Sequence, residues 1–417
     1  MSKRCALHCI IPPFMLDAIA ENGSTAQQEF ARRCLSHSAD LRAERIESVP
    51  LEFFSGAMAG KRRSVFSADN STTLPGRAVR FEGDPASGDA AVDEAFDGSG
   101  ATYDLFITQY DRDSIDGNGL PLDSTVHYGN GFDNAFWNGR QMVYGDGDDG
   151  LPADQRLFNR FTASLDVIAH ELTHGVTQYT ANLVYQNQSG ALNEHFSDVF
   201  GALVRQWQQG LSAAEADWLI GAELLTDNVA GVAIRSMKAP GTAYDDPVLG
   251  KDPQPAHMRD YVNTTADNGG VHINSGIPNF AFHQVAVRLG GHAWARAGLI
   301  WYRALTSPEL SSNAVFQDLV DLTAKLAAQQ YGEGSNEHQA VIGGWADAGL
   351  TVATVPDAPD VPDEPDVPDE PDVPDEPDEP DVPPVPEPPD HPDPPPPSPA
   401  PPPRGCNPIG FLWGGKD

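Results

Sequence analysis

Cysteine is nearly absent: four residues in 417, at positions 5, 9, 34 and 406, leave the chain from 35 to 405 without a thiol. No disulfide framework can brace such a chain, so its stability has to come from packing and from any cations it binds. Positive charge is scarce too, with 26 Lys and Arg against 60 Asp and Glu, a formal net charge of -34 and a pI near 4.4. That balance excludes nucleic acid and anionic membrane surfaces as partners, because phosphate binding needs a basic face. Roughly half of the negative excess lies in the C-terminal tail, so the acidity says little about the folded part. Long apolar runs are also missing, and no window reaches the ~20 residues that span a bilayer. The N-terminus, MSKRCALHCIIPPFML, starts basic and turns apolar, but His8, Pro12, Pro13 and Asp17 interrupt the run and no small-residue cleavage site follows. No Sec leader is therefore expected, which leaves the cytoplasm or export by another route.

What is present divides the chain. Residues 1–50 read as a short helical segment: Leu16, Ile19 and Ala20, then Phe30, Cys34 and Leu35, recur at helical spacing, with a break at Asn22-Gly23-Ser24. GKRRSVF at 60–66 is cationic and polar and suits a protease-sensitive joint. Residues 51–165 are mixed. LPGRAVRFEG reads as strand and turn, DAAVDEAFDGSGATYDLFITQYD as helix, and STVHYGNGFDNAFWNGRQMVYGDGD as strands with Gly and Asn turns. Helical periodicity dominates 166–352. The expected architecture is α+β, a mixed β/α domain followed by a mainly helical one, with any site in the cleft between them. DVPDEP then repeats at 360–365, 366–371 and 372–377 within an acidic, Pro-rich tail over 353–403. Such a stretch has nothing to bury and reads as an extended spacer. The last segment, 404–417, restores Phe411, Leu412 and Trp413, an apolar tip that suggests a docking peptide of unidentified partner.

The chemistry concentrates in DVIAHELTHGVTQYTANLVYQNQSGALNEHFSD, residues 166–198. His170 and His174 are four apart in a helix-forming run, so both imidazoles leave one face about 6 Å apart and make a bidentate metal clamp. Glu171 follows the first His, where its carboxylate can flank a metal-bound water without being a ligand. A catalytic zinc needs a third protein donor and one open position. Glu194 is the best candidate for that donor. Glu194 and Asp198 are again four apart, on a second helix, and two carboxylates at that spacing call for a positive group facing them. His195 points about 100° away from Glu194 and is not expected to bind the metal.

Together HELTHGVTQYT, YQNQSGALNE, DNGGVHINSGI, NAFWNGRQMVYGDGD and IRSM resemble the thermolysin-like zinc metalloproteases, in the family's order, over about residues 70–350. CIIPPFML followed by ENGS looks like the short propeptide of the protealysin-like branch. The resemblance implies a two-domain fold with the zinc helix at the cleft, zinc on His170, His174 and Glu194, and Glu171 as general base. It implies that His272 and Tyr185 face the developing oxyanion, that Asp267 orients His272, and that Asp198 and Asn193 hold the far nitrogens of the zinc histidines. Arg235 would hold a substrate carbonyl, Asn134 and Ala135 the substrate backbone, and Phe161, Val167 and Ile234 a pocket for bulky apolar side chains on the amine side of the cut. The implied activity is endopeptidase action on peptides and proteins by a chain, expected to be monomeric, that is made as a self-inhibited precursor and removes its own propeptide.

The sequence departs from the family where calcium is concerned. Asp166 and Asp217 match ligand positions of a double calcium site, but Arg205, Leu219 and Ala222 replace carboxylates that such a site needs, and Val232 removes a ligand of another. A guanidinium among the remaining carboxylates would substitute for the cations, so no double calcium site is expected. In the propeptide, Cys9 has the chemistry to ligate zinc. The other reading is a steric block by the segment around Pro12, Pro13, Phe14 and Met15. Two further functions stay in view: an adaptor that keeps the fold without catalysis, which the intact base, ligands and oxyanion donors disfavour, and an aminopeptidase, which would need an acidic anchor for a free amine.

Overall fold

In the computed structural model, which describes residues 8–47 and 60–353, His8–Cys9 form a short strand, β1, and Pro13–Asn22 and Thr25–Glu47 form helices α1 and α2. Pro13 occupies the first turn of α1, where a fixed φ and a missing N–H are no handicap, and Pro12 before it is extended. The two prolines thus convert an extended segment into a helix within one residue. The predicted break at Asn22-Gly23-Ser24 falls between the two helices.

After the connection come β2 (Arg63–Ser67), β3 (Arg77–Phe81), α3 (Ala90–Tyr110), β4 (Leu122–Val126), β5 (Ala135–Trp137) and β6 (Met142–Tyr144). They build one sheet in the order β1-β5-β6-β4-β2-β3, parallel at β2/β4 and β4/β6 and antiparallel elsewhere. Its first strand is β1 at the N-terminus, with His8 opposite Trp137 and Cys9 opposite Phe136. GKRRSVF is not a joint. Arg63–Ser67 lie between β3 and β4, with Val65 fully buried. The cations that read as an exposed linker are all engaged: Lys61 with Asp104, Arg62 with the Gly119 carbonyl, and Arg63 with Glu82 and the face of Phe96.

The second half is helical: α4 (Leu165–Gln178) and α5 (Asn187–Gln209), two short ribbons made of β7 (Leu219–Ile220) with β8 (Arg235–Ser236) and β9 (Asp245–Asp246) with β10 (Gly250–Lys251), then α6 (Asp267–Asn274), α7 (Gly276–Leu289), α8 (Ala297–Thr306), α9 (Phe316–Tyr331) and α10 (Asn336–Asp347). Helix α4 is buried at every residue from Asp166 to Thr177, because α5, α3 and β5 all pack on it. A helix with buried His, Glu and Thr on all sides cannot be explained by amphipathicity and has to satisfy those groups internally. Gly201 sets how closely α5 approaches: a Cβ there would come 2.6 Å from the Asp166 carbonyl oxygen. Phe106 and Tyr110 of α3 pack with Phe200 of α5 and Tyr302 of α8, so the mixed and helical halves share one core.

The described residues belong to one compact unit. The DVPDEP repeats, Cys406 and the apolar tip lie outside the described residues. Among the described residues no helix is long and apolar enough to cross a membrane.

Candidate metal centre and active site

One turn of α4 brings the rings of His170 and His174 to 4.7 Å between centroids, nearly perpendicular. Their outer nitrogens are committed: His170 Nδ1 lies 2.8 Å from Asp198 Oδ1 and His174 Nδ1 2.8 Å from Asn193 Oδ1. Asn193 donates its own amide to the Leu183 carbonyl, so its oxygen has to accept, and an ionised carboxylate can only accept. Each imidazole therefore carries its proton on Nδ1 and turns a bare Nε2 inward. The two Nε2 atoms stand 3.1 Å apart. Glu194 adds Oε2 at 3.5 Å from His170 Nε2 and Oε1 at 3.4 Å from His174 Nε2. All three side chains are fully buried, and Glu194 Oε2 has no hydrogen-bond partner.

Three acceptors converge with no proton between their facing atoms, an arrangement that only a cation relieves. Two imidazoles and one carboxylate are the donor set of a catalytic zinc site, and the residues fit that ion. Among the described residues they are the one cluster able to hold a metal, and Cys9 is not in it.

The remaining site residues converge on the same point. Glu171 Oε2 accepts the Trp137 N–H at 3.1 Å, while Oε1 is buried without a partner. Burial, then the Glu194 charge, push Glu171 well above the usual carboxylate range, and a dication between them would reverse the second effect. The Tyr185 hydroxyl donates to Glu194 and sits 3.1 Å from His272 Nε2. Burial raises its pKa, which keeps it a donor. Burial would lower His272, but Asp267 and Glu194 raise it to about 9. Asp267 grips it twice, at the backbone N–H (2.8 Å) and at Nδ1 (2.6 Å). The left-handed turn at Asn268, Gly269 and Gly270 makes that double grip geometrically attainable; at Gly269, φ +87°, a Cβ would meet Asn187 Oδ1 at 2.1 Å.

Arg235 supplies the positive group that Glu194 and Asp198 call for. Its Nε and Nη2 lie 2.9 and 2.8 Å from the two Asp198 oxygens. Burial would raise Asp198, yet Arg235 and His170 together hold it well below the usual range.

The N-terminal segment lies in the site. His272 Nε2 is 3.0 Å from the Cys9 carbonyl oxygen, the Ile10 N–H donates to the Ala135 carbonyl at 3.3 Å and faces Glu171, and Arg235 Nη1 donates to the Ile10 carbonyl at 3.2 Å. Ile11 exchanges both its backbone groups with the Asn134 side chain, at 3.1 and 3.4 Å. Pro12 and Pro13 then start α1, Met15 is buried and Phe14 packs partly buried against the core. Phe161, Val167 and Ile234 are buried, as is Ile10. What lies across the metal ligands is thus the backbone of residues 9–11, which neither the thiol reading nor the reading centred on Phe14 and Met15 named.

Sequence reasoning also missed three residues that act around the ligands: Ser197, Asn279 and Trp301. Ser197 Oγ is a second partner of His174 Nδ1 at 3.0 Å, and Asn279 donates to Asp198 Oδ2 at 2.8 Å. His195, turned away from the metal as expected, meets Asn279 at 2.8 Å and Trp301 at 2.7 Å. Ser197, three residues after Glu194, was within reach of helical spacing; Trp301, 106 residues from His195, carried no local signal.

Comparison with known proteins agrees with this geometry. Residues 56–178 match the profile described as "Thermolysin metallopeptidase, catalytic domain" and 181–350 that of the "Thermolysin metallopeptidase, alpha-helical domain". The chain is 51% identical over 329 residues to an extracellular metalloprotease of Pectobacterium carotovorum subsp. carotovorum, covering 77% of this chain and 91% of that one. It is 45% identical over 352 residues to Protease PrtS of Photorhabdus sp. (strain Az29), covering 82% and 92%. Among solved structures it is similar to the precursor of protealysin, a metalloproteinase from Serratia proteamaculans, with a TM-score of 0.75, 47% identity, and coverage of 82% of this chain and 100% of that chain.

Proposed function

Since the chain belongs to the thermolysin metallopeptidase family and is a zinc endopeptidase made with a propeptide, we propose that its N-terminal segment occupies the cleft in the register of a substrate, with the Cys9–Ile10 bond across the metal ligands. The observation that carries this reading is the alignment of four successive backbone groups with five site residues: Cys9 C=O with His272, Ile10 N–H with Glu171 and Ala135, Ile10 C=O with Arg235, and Ile11 N–H with Asn134.

Zinc on His170, His174 and Glu194 would supply a Lewis acid that polarises a carbonyl and lowers the pKa of water. Glu171 takes the proton of the attacking water and returns it to the leaving amine, which in a substrate lies where the Ile10 nitrogen stands here. His272, whose pKa Asp267 raises against burial, and Tyr185 donate to the carbonyl oxygen as charge develops on it, and Arg235 with Asn134 and Ala135 fix the strand so that the carbonyl stays there. Phe161, Val167 and Ile234 offer no partner for a charge, which supports cleavage on the amino side of bulky hydrophobic residues; Ile10, fully buried, stands at that position. One methylene changes such a preference by only about 1–3 kcal/mol, so selectivity is broad.

A blocked peptide carrying Leu, Phe, Ser and Glu in separate positions tests the assignment. Cuts before Leu and Phe are expected, together with one zinc per chain, and Glu171→Gln should slow them by roughly 10²- to 10⁴-fold. Full activity in Glu171→Gln, or activity only at free amino termini, would overturn it.

A further inference from the structure

A line of hydrogen bonds leaves the metal centre at His170 and ends in the helical core at Trp301, 131 residues further along the chain. His170 Nδ1 meets Asp198 Oδ1 at 2.8 Å, and Asp198 Oδ2 accepts from Asn279 Nδ2 at 2.8 Å. Asn279 Oδ1 then meets His195 Nδ1 at 2.8 Å, and His195 Nε2 accepts from the Trp301 indole N–H at 2.7 Å. Every member is buried, at 2% exposure or less. Its direction is forced from both ends. An indole N–H can only donate, and an ionised carboxylate can only accept. Between them stand a carboxamide and an imidazole, the two side chains whose donor and acceptor ends are interchangeable. With Trp301 donating, His195 has to accept on Nε2 and carry its proton on Nδ1, and Asn279 has to show its oxygen to His195 and its amide to Asp198. Either group reversed would leave two donors or two acceptors face to face where no water reaches, at the cost of an unmade buried hydrogen bond.

We propose that His195 and Trp301 are positioning residues for the metal centre, fixing through Asn279 the orientation of Asp198 and so holding His170 with its bare Nε2 toward the ion. Neither residue touches the metal or substrate. Trp301 packs between Phe282 and Trp345, at 5.0 and 6.0 Å between ring centroids, so the indole that sets the polarity is itself anchored in core. Arg235 also holds Asp198, through Nε and Nη2 with both of its oxygens, and sets the plane of the carboxylate. Asn279 donates to Oδ2 alone, across from His170 on Oδ1, and it presents its amide there only while His195 is locked.

The proposal rests on the zinc reading above. The test uses the full chain carrying Glu171→Gln, so that every preparation keeps its N-terminal segment, and follows zinc release to a chromophoric chelator alongside the melting temperature. His195→Leu and Trp301→Phe are each expected to speed release by about tenfold, the lower end of what loss of a partner behind a metal ligand does. The double variant should exceed the larger single by little, because both break one chain. His195→Gln, which again offers one acceptor and one donor, should restore much of the retention. Phe200→Leu, on the same helix but in the aromatic cluster with Phe106 and Tyr110, should lower the melting temperature without speeding release. Should His195→Leu fail to fold, Trp301→Phe carries the test with the imidazole in place. Zinc retained at the parent rate in both variants, or released as fast by Phe200→Leu, would overturn the positioning role alone. A parent that binds no zinc would overturn the metal-centre reading, and the proposal with it.

Discussion

Replacing Arg205 by Met should make the melting temperature depend on calcium, where that of the parent is expected to stay nearly unchanged. Arg205 lies 3.3 Å from Asp166, 3.1 Å from Asp217 and 2.9 Å from Glu223, and only 14% of its side chain is exposed. The three contacts are unequal. Asp217 and Glu223 are 49% and 41% exposed, and each pairing contributes about 0–1 kcal/mol. Asp166 is fully buried at the start of α4, and breaking a buried pair by removing one partner costs about 3–5 kcal/mol. Burial already lifts Asp166 to about 6 in spite of Arg205, so without the guanidinium it escapes part of that cost by taking a proton at neutral pH. At pH 8 that escape narrows, and the drop in melting temperature should reach roughly 6–10 °C, at about 2 °C per kcal/mol for a domain this large. The vacated carboxylates then offer calcium the hard oxygen ligands it prefers. Calcium at 100 times its dissociation constant would return about 2.7 kcal/mol. Thermal melting of both proteins at pH 8, with zinc held constant and calcium added rather than chelator, reads the difference. A parent that gains several degrees from calcium, or a variant that melts with the parent, would refute the substitution of cation by guanidinium.

Tyr185→Phe removes one donor to the carbonyl oxygen and should lower kcat by roughly 10²- to 10³-fold with little change in KM, read on a blocked peptide; a KM effect alone would make Tyr185 a binding residue. Residues 9–11 and the bond that frees them cannot share one cleft, so removal of the N-terminal segment should be bimolecular: the Glu171→Gln chain is cut by added active enzyme at a rate proportional to enzyme concentration, and dilution-independent first-order processing would contradict this. Asp133 and Asp148 form a buried carboxylate pair beneath α2, where Cys34 Sγ accepts the Asp133 N–H at 3.1 Å. Burial and the neighbouring Asp148 charge raise Asp133 well above its usual range, so the folded chain holds a proton there that the unfolded chain releases, and stability falls as pH rises. Asp133→Asn, able to donate to Asp148 without a proton from solvent, should flatten the decline in melting temperature between pH 5 and 8.

The metal ligands were legible because their information is local. A helix repeats every few residues, so His170 with His174, and Glu194 with Asp198, announce a shared face from sequence alone. Partners supplied by other elements left no such trace. Asn279 and Trp301 reach the centre from helices 81 and 106 residues beyond their partners, and only satisfaction of buried donors and acceptors connects them. The cations of GKRRSVF were misread because composition shows charge and not its partner; Glu82, Asp104 and Phe96 lie 19 to 43 residues downstream. Cys9 drew attention as a thiol, yet what meets His272 is its carbonyl, a group that every residue carries and no motif can mark.

That last point explains how a peptide can sit in such a cleft as guard and be discarded later. The backbone bonds of residues 9–11 are worth about 0.5–1.5 kcal/mol each once exchange with water is counted, which alone gives weak binding. Met15, Leu16, Ile19, Ala31 and Cys34 add apolar burial from α1 and α2, but the decisive quantity is the covalent connection between Glu47 and Gly60. A short tether holds its two ends at an effective concentration on the order of millimolar, so even a modest dissociation constant keeps the cleft closed. Cutting that connection leaves the bonds of residues 9–11 themselves as they are. It exchanges the tethered concentration for that of the released peptide in solution, and the same segment that blocked the cleft then leaves it by mass action.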